Sequence, residues 1–218
     1  MIIAKEAVDF IVAKEVSSRQ HYEAVLHRPE WPEGESGVTI GIGYDLGYAT
    51  RSDVDHDWGP YLPAEMIPQL KRCCGVTGIA ARDLCRKVRG SISVPWTAAM
   101  IVFMERDIPK WDSAVRKALP NYDELGLLCR GVLVSLAYNR GASFSKKGDR
   151  YEEMRAIKAR MTARDFLAIP AEIESMKRLW TSPSNRGVAL RRGGEAELFR
   201  KGLQQMAAAS NEESSGKS

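Results

Sequence analysis

The chain has 218 residues, 44% hydrophobic and 28% charged, a balance that fits one packed domain or two small lobes and excludes general disorder. Its 32 Lys plus Arg against 28 Asp plus Glu give a net charge of +4, too mild for the dense basic face of a nucleic-acid binder. No run approaches the roughly 18 uninterrupted apolar residues of a spanning helix, so no membrane segment is expected. Met1-Ile2-Ile3-Ala4-Lys5-Glu6-Ala7-Val8-Asp9-Phe10 mixes acids with apolar residues and lacks a positive leader, so it does not read as a secretory signal. Synthesis in a cytoplasm without conventional export is the expectation, with reduced thiols. Cys73, Cys74, Cys85 and Cys129 have no paired zinc spacing. They read as buried or available thiols, with a Cys73–Cys85 or Cys74–Cys85 bridge as the alternative.

In chain order, Ile3, Ala7, Phe10 and Ile11 recur at helical spacing and predict a helix from residue 2 to about 15. From Pro29 to Gly47 prolines and glycines punctuate the chain around the β-prone Val38-Thr39-Ile40-Gly41-Ile42. This predicts a hairpin or a small three-stranded sheet, with a long loop at Glu30–Gly37. Pro63-Ala64-Glu65-Met66 has the form of a helix start, and Val94-Pro95-Trp96-Thr97 precedes another helical run through Met104 and Ile108. Leu125 to Ala137 is apolar on nearly every side and predicts the central helix of a bundle, stopped at Asn139-Arg140-Gly141 with Gly141 as C-cap. Glu152–Arg160, Pro170–Trp180 and Arg186–Leu203 predict further helices. Gly193-Gly194 marks a start or kink in the last of these, because each glycine costs a helix about 1 kcal/mol. Ala207–Ser218 reads as a frayed tail.

Charge is divided unevenly along the chain. Residues 1–60 carry a net of −6 and residues 61–218 a net of +10. Solvated helix faces account for this, or an acidic lobe faces a basic body across a groove for an anionic polymer.

His21, His27 and His56 share no metal-ligand spacing, and neither G-x-S-x-G nor a P-loop occurs. Gly41-Ile42-Gly43 lacks the dinucleotide spacing and its βαβ context. What remains is a carboxylate at a helix end and a glycine-rich segment with a threonine and an aspartate. Glu15 ends the first helix beside Ile11 and Val12 and reads as a surface helix residue or, held partly dry, as a carboxyl that would keep its proton as a general acid must. Thr39 and Asp45 stand six residues apart, on one face if the segment is a strand, at a turn if Gly41 and Gly43 bend it, and Asp45 reads equally as a turn-capping aspartate.

Four segments share a resemblance. Ser36-Gly37-Val38-Thr39-Ile40-Gly41-Ile42-Gly43-Tyr44-Asp45-Leu46-Gly47 is similar to the active-site hairpin of phage-type lysozymes, and more closely to the pesticin-like muramidases with their T-I-G-x-G-Y-D-x-G. Glu15 with Tyr22 resembles that family's E-x6-Y. Leu133-Val134-Ser135-Leu136-Ala137-Tyr138-Asn139-Arg140-Gly141 resembles its central-helix ending, and Gly187-Val188-Ala189-Leu190-Arg191-Arg192-Gly193-Gly194-Glu195-Ala196-Glu197-Leu198-Phe199 its closing segment. The order is kept from residue 15 to 199. The chain departs from the family at Val16, commonly Gly, and at Ala24, where the ordinary phage type has Asp. Its loop from His27 to Gly37 is also longer.

The resemblance implies a mostly α, α+β fold of lysozyme type, in which a small β-hairpin lobe joins a helical bundle and the active-site cleft lies between. A single catalytic domain would span residues 1–205, the β-containing lobe about 16–60 and the helical lobe about 61–205 with the first helix packed back onto it. Residues 206–218 would be a flexible tail. It implies hydrolysis of the β-1,4 bond between N-acetylmuramic acid and N-acetylglucosamine, with Glu15 as acid, Asp45 as base or electrostatic partner and Thr39 orienting water. Glu23, Glu30, Glu33 and Glu35 are rivals if the loop folds inward. Tyr44, Tyr138 and Asn139 would line the substrate cleft, or else serve as core packing and a helix cap. Arg191 and Arg192 would hold the last helix through acidic partners, or touch substrate. No metal or organic cofactor is required. A monomer is expected whose partner is the peptidoglycan glycan strand, acting in the periplasm after lysis, pore passage or dedicated secretion, as a phage endolysin or as an effector with an immunity protein. A non-catalytic glycan-binding module and a chitinase-like hydrolase are the alternatives.

Overall fold

The apolar stripe near the start of the chain winds into α1 (Lys5–Val16) in a computed structural model that describes residues 2–215. The described residues are mostly helical, 70% helix and 3% strand, with a small two-stranded antiparallel sheet. Its contacts divide it into two units, Val12–Ile108 on one side and Met1–Ile11 with Pro109–Ser218 on the other. The division thus falls inside α1 and at Ile108.

In the unit Val12–Ile108, α1 ends where Ser17 adopts a left-handed φ of 63°. Extended Ser18 then caps α2 (Arg19–His21), its side chain accepting from His21 N, and a π turn follows at Tyr22–Leu26. Strands β1 (Thr39–Ile40) and β2 (Tyr44–Asp45) pair antiparallel, Thr39 opposite Asp45 and Ile40 opposite Tyr44. Gly41 and Gly43 bend the turn between them with φ of 60° and 79°, a region that ordinary side chains disfavour. Helix α3 (Arg51–Asp57) starts with a capping box between Thr50 and Asp53. The start read at Pro63 is displaced: Met66 N donates to Pro63 O in a turn, and α4 (Ile67–Cys73) carries Pro68 in its own first turn. After α5 (Gly78–Val88), α6 (Trp96–Val102) passes through a π turn at Phe103–Asp107 into α7 (Ile108–Ala118). The π turn ends two residues before Pro109, which has no N–H to give to the carbonyl one α-turn back.

In the other unit, α8 (Leu127–Arg140) is buried at Leu128, Cys129 and every position from Gly131 to Ala137. Gly141 ends it at φ 79°, its N–H donating to Ala137 O at 2.7 Å. The first part of α1 packs onto α8 closely enough that a Cβ on Gly131 would fall 2.3 Å from the Ala7 Cβ. Helices α9 (Glu152–Ala163) and α10 (Ile169–Ser175) follow, the latter passing into a 3₁₀ turn at Met176–Leu179. Helix α11 (Arg186–Ser215) then runs through Gly193-Gly194. A Cβ at Gly194 would meet the Phe10 ring at 2.8 Å, and one at Gly202 the Cys129 Sγ at 2.5 Å. Close helix packing therefore offsets the glycines' propensity cost, and the helix does not start there. The same helix continues past Ala207 to Ser215, where the sequence reading expects a tail; residues 216–218 of that expected tail lie outside the described residues. Among the described residues no helix is long and apolar enough to cross a membrane.

Helix α11 is tied to α8 by buried charge. Glu195 and Arg192 are wholly buried and Arg191 nearly so. Glu195 Oε1 accepts from Ser135 Oγ at 2.7 Å, Arg192 Nη2 at 3.0 Å and Arg191 Nε at 3.2 Å, while Arg192 Nε stands 2.9 Å from Oε2. Removing one partner of such a group strands the other charges in the interior. Glu195→Ala should therefore cost about 3–5 kcal/mol in urea unfolding, whereas Glu6→Ala, which breaks the exposed pair with Lys201, should cost less than about 1 kcal/mol. Equal costs would show that the network does not anchor α11.

Candidate active site

One carboxylate closes the hairpin. Asp45 is extended and caps the 3₁₀ turn Leu46–Tyr48. Its Oδ1 accepts from Gly47 N at 2.8 Å and Gly37 N at 3.0 Å, and its Oδ2 lies 3.1 Å from Gly37 N. This grip requires two backbones to touch. A Cβ on Gly37 would lie 2.3 Å from both Asp45 Oδ1 and Gly47 N, and one on Gly47 would lie 2.8 Å from Gly37 Cα. Glycine is thus demanded at both positions by close approach.

Thr39 faces Asp45 across the strands. Its own N–H and C=O turn the other way, pairing with Glu30 O and N at 2.8 and 2.9 Å. Thr39 and Asp45 are therefore a non-hydrogen-bonded pair, the kind in which Cα atoms approach to about 4.5 Å and side chains stand closest on one face. The Thr39 hydroxyl is only weakly engaged, 3.5 Å from Gly37 O. The strand reading of their spacing holds, and the glycines make the turn between the strands.

Glu15 lies partly buried in the last turn of α1, in the same unit as Thr39 and Asp45. The reversal that follows it is anchored by Tyr22, buried completely, whose hydroxyl donates to Val94 O at 2.9 Å and whose ring meets Trp96 edge-on at 5.2 Å. The rival acids are not buried. Glu23 pairs with Arg19 at 2.8 Å, Glu30 lies 3.5 Å from Arg89, and Glu33 and Glu35 are exposed. The loop bearing them is tied back by Trp31 Nε1 and Gly78 N, each donating to Ser36 O at 3.0 Å.

Tyr44 departs from the expectation of a cleft-lining residue. It is buried, its hydroxyl donates to Asp57 Oδ2 at 2.9 Å, and its ring packs edge-on against Trp58 at 5.3 Å. Burial first, and the Asp57 carboxylate second, push its phenol well above the usual range. Tyr44 is a packing residue of the hairpin with its polar end already engaged. Sequence alone does not reveal that acceptor, because Asp57 sits on α3. Tyr138 and Asn139 belong to the other unit, at the end of α8. Tyr138 is partly buried with its ring 6.0 Å from that of Trp111, and exposed Asn139 accepts from Arg192 Nη2 at 3.2 Å.

The four cysteines are free thiols, and burial pushes those of Cys73 and Cys129 up to about 12. Among the described residues no group of His, Cys, Asp and Glu could hold a metal ion. No protein-family model and no curated protein sequence matches the chain.

Asp45 is a structural clasp of the hairpin as well as a candidate reaction residue. Substitution separates its two roles. Asp45→Ala leaves two backbone donors without an acceptor and should cost about 2–4 kcal/mol in urea unfolding, while Asp45→Asn keeps an acceptor oxygen and should cost roughly half as much. A neutral Asp45→Ala would mean that the clasp does not hold the hairpin.

Proposed function

We propose that the chain is a muramidase that hydrolyses the β-1,4 bond between N-acetylmuramic acid and N-acetylglucosamine in peptidoglycan. The observation carrying this reading is the direct pairing of Thr39 with Asp45 across the hairpin, in the unit that also holds Glu15. These are the three residues that the resemblance to pesticin-like muramidases assigns to the reaction. A lysozyme-like fold is part of the same proposal.

Cleavage of a glycosidic bond needs a proton for the leaving oxygen and a second group for the opposite face of an oxocarbenium-like centre. Glu15 would give the proton to the bridging oxygen. Asp45 would receive a proton from the attacking water through Oδ2, which carries one long contact where Oδ1 carries two bonds. The weakly held Thr39 hydroxyl would orient that water. The expected outcome is inversion, which calls for about 6.5–9.5 Å between the two carboxyl groups so that water fits between sugar and base. The enzyme would act on the wall as an endolysin or as a delivered effector.

One observation favours a second reading. Because Asp45 also holds the hairpin, it would be kept in a glycan-binding module that cuts nothing. Glu15→Gln decides between them. It should fold with unchanged circular dichroism and urea midpoint while lysis of purified walls falls by about 10²–10⁴-fold, the contribution of a general acid. A wild-type protein that sediments with walls but releases no reducing ends would favour the binding module, and faster release from chitin than from peptidoglycan would move the substrate.

A further inference from the structure

Away from the proposed reaction residues, the stretch from the end of α8 into α9 concentrates charge of one sign. Arg140, Lys146, Lys147, Arg150, Arg155 and Lys158 fall within it, and among the described residues none of the six forms an ion pair. The stretch has acids of its own, but Arg178 draws them away: its guanidinium lies 2.9 Å from Asp149 and 3.1 Å from Glu152, and also pairs with Glu153.

The cations are gathered and held. Arg155 Nη1 donates to Lys146 O at 2.8 Å and Gly148 O at 2.9 Å, Lys158 Nζ donates to Ser145 Oγ at 2.8 Å, and Arg140 donates to Arg150 O. The exposed tips Lys146, Lys147 and Arg150 therefore stand on a loop whose backbone is already held, so binding has only their side chains left to order. Lys146 lies 5.0 Å over the Tyr151 ring, whose phenol is lowered by Lys146 first and then by Arg150 and Arg140. Arg140 stacks on Trp180 at 4.9 Å, and among the described residues its buried Nε and Nη1 have no hydrogen-bond partner. Like charges held this close repel, and a bound polyanion would relieve that cost.

Arg140 Nη2 and Arg155 Nη1 are spent on backbone carbonyls, so the groups turned outward are the exposed Lys146 and Lys147 ammoniums and the Arg150 guanidinium. A polymer carrying carboxylates at intervals complements such a face, and on the muramidase reading the wall polymer is one. We infer that this face of residues 140–158 binds the carboxylate-bearing stem peptides of the cell-wall polymer. The inference rests on the muramidase reading, and it supplies a hold on the wall separate from the reacting sugar.

The test compares Glu15→Gln protein with the same protein carrying Lys146→Gln, Lys147→Gln and Arg150→Gln, in co-sedimentation with intact sacculi and with glycan strands stripped of stem peptides by an amidase. The charge variant should bind intact sacculi about tenfold more weakly at low salt. The difference should vanish near 1 M salt, where the screening length is about 3 Å, and be absent on stripped strands. Equal binding to intact sacculi overturns the inference. So does tighter binding to phosphatidylglycerol vesicles or duplex DNA that the three substitutions abolish, since the face would then read phosphate. Unimpaired wall lysis by Glu15→Gln would instead overturn the muramidase reading, so the two failures are distinguishable.

Discussion

The Asp45 carboxylate is the point at which local geometry and proposed chemistry meet. By accepting from Gly37 N and Gly47 N it draws the two ends of the hairpin together, and the strands between them pair in the register that sets Thr39 opposite it. Neither glycine can carry a side chain without displacing the other backbone or the carboxylate itself. A shift of one residue would carry Thr39 to the other face of the strand and remove the pairing. The side chain proposed to serve water is thus located by the same bonds that build its surroundings, which is the economical way to hold a reacting group still.

The other unit is organised by close approach and buried charge. Gly131, Gly194 and Gly202 admit Ala7, Phe10 and Cys129 to distances that a methyl group would forbid. Around Glu195, two arginines and Ser135 form a group that is costly to desolvate and far costlier to break. Such a group specifies how α11 lies on α8 more sharply than apolar packing, which tolerates sliding. Its reach to Asn139 through Arg192 also fixes the end of α8, next to the cationic face of residues 140–158.

Much of this is legible in the residues, for identifiable reasons. The apolar positions of α8 surround the whole helix, so its burial needs no partner to be named, and Gly141 announces its end. The hairpin is legible because Gly41 and Gly43 supply the left-handed φ values its turn requires. Pairing of Arg191 and Arg192 with Glu195 follows from spacings of four and three residues along one helix. What escaped depends on distant partners. The Gly193-Gly194 pair looks like a break until Phe10 is seen against it, and Tyr44 looks available until Asp57 is seen at its hydroxyl. Proline at residue 63 opens a turn because Pro68 takes the helical position instead. The last turns of α11 hide in a small, unpatterned composition. Yet Ala207-Ala208-Ala209 has the highest intrinsic helix propensity available, and Met206 Sδ reaches Gly126 N at 3.1 Å.

The central claim is a single bond cleavage in a single polymer, and mass analysis of the fragments released from whole sacculi reads it most directly. Disaccharide-peptides bearing a new reducing N-acetylmuramic acid end, formed by the wild type and missing with Glu15→Gln, are the predicted result. Fragments that instead end in reducing N-acetylglucosamine, or that differ from intact wall only in their peptides, would contradict it.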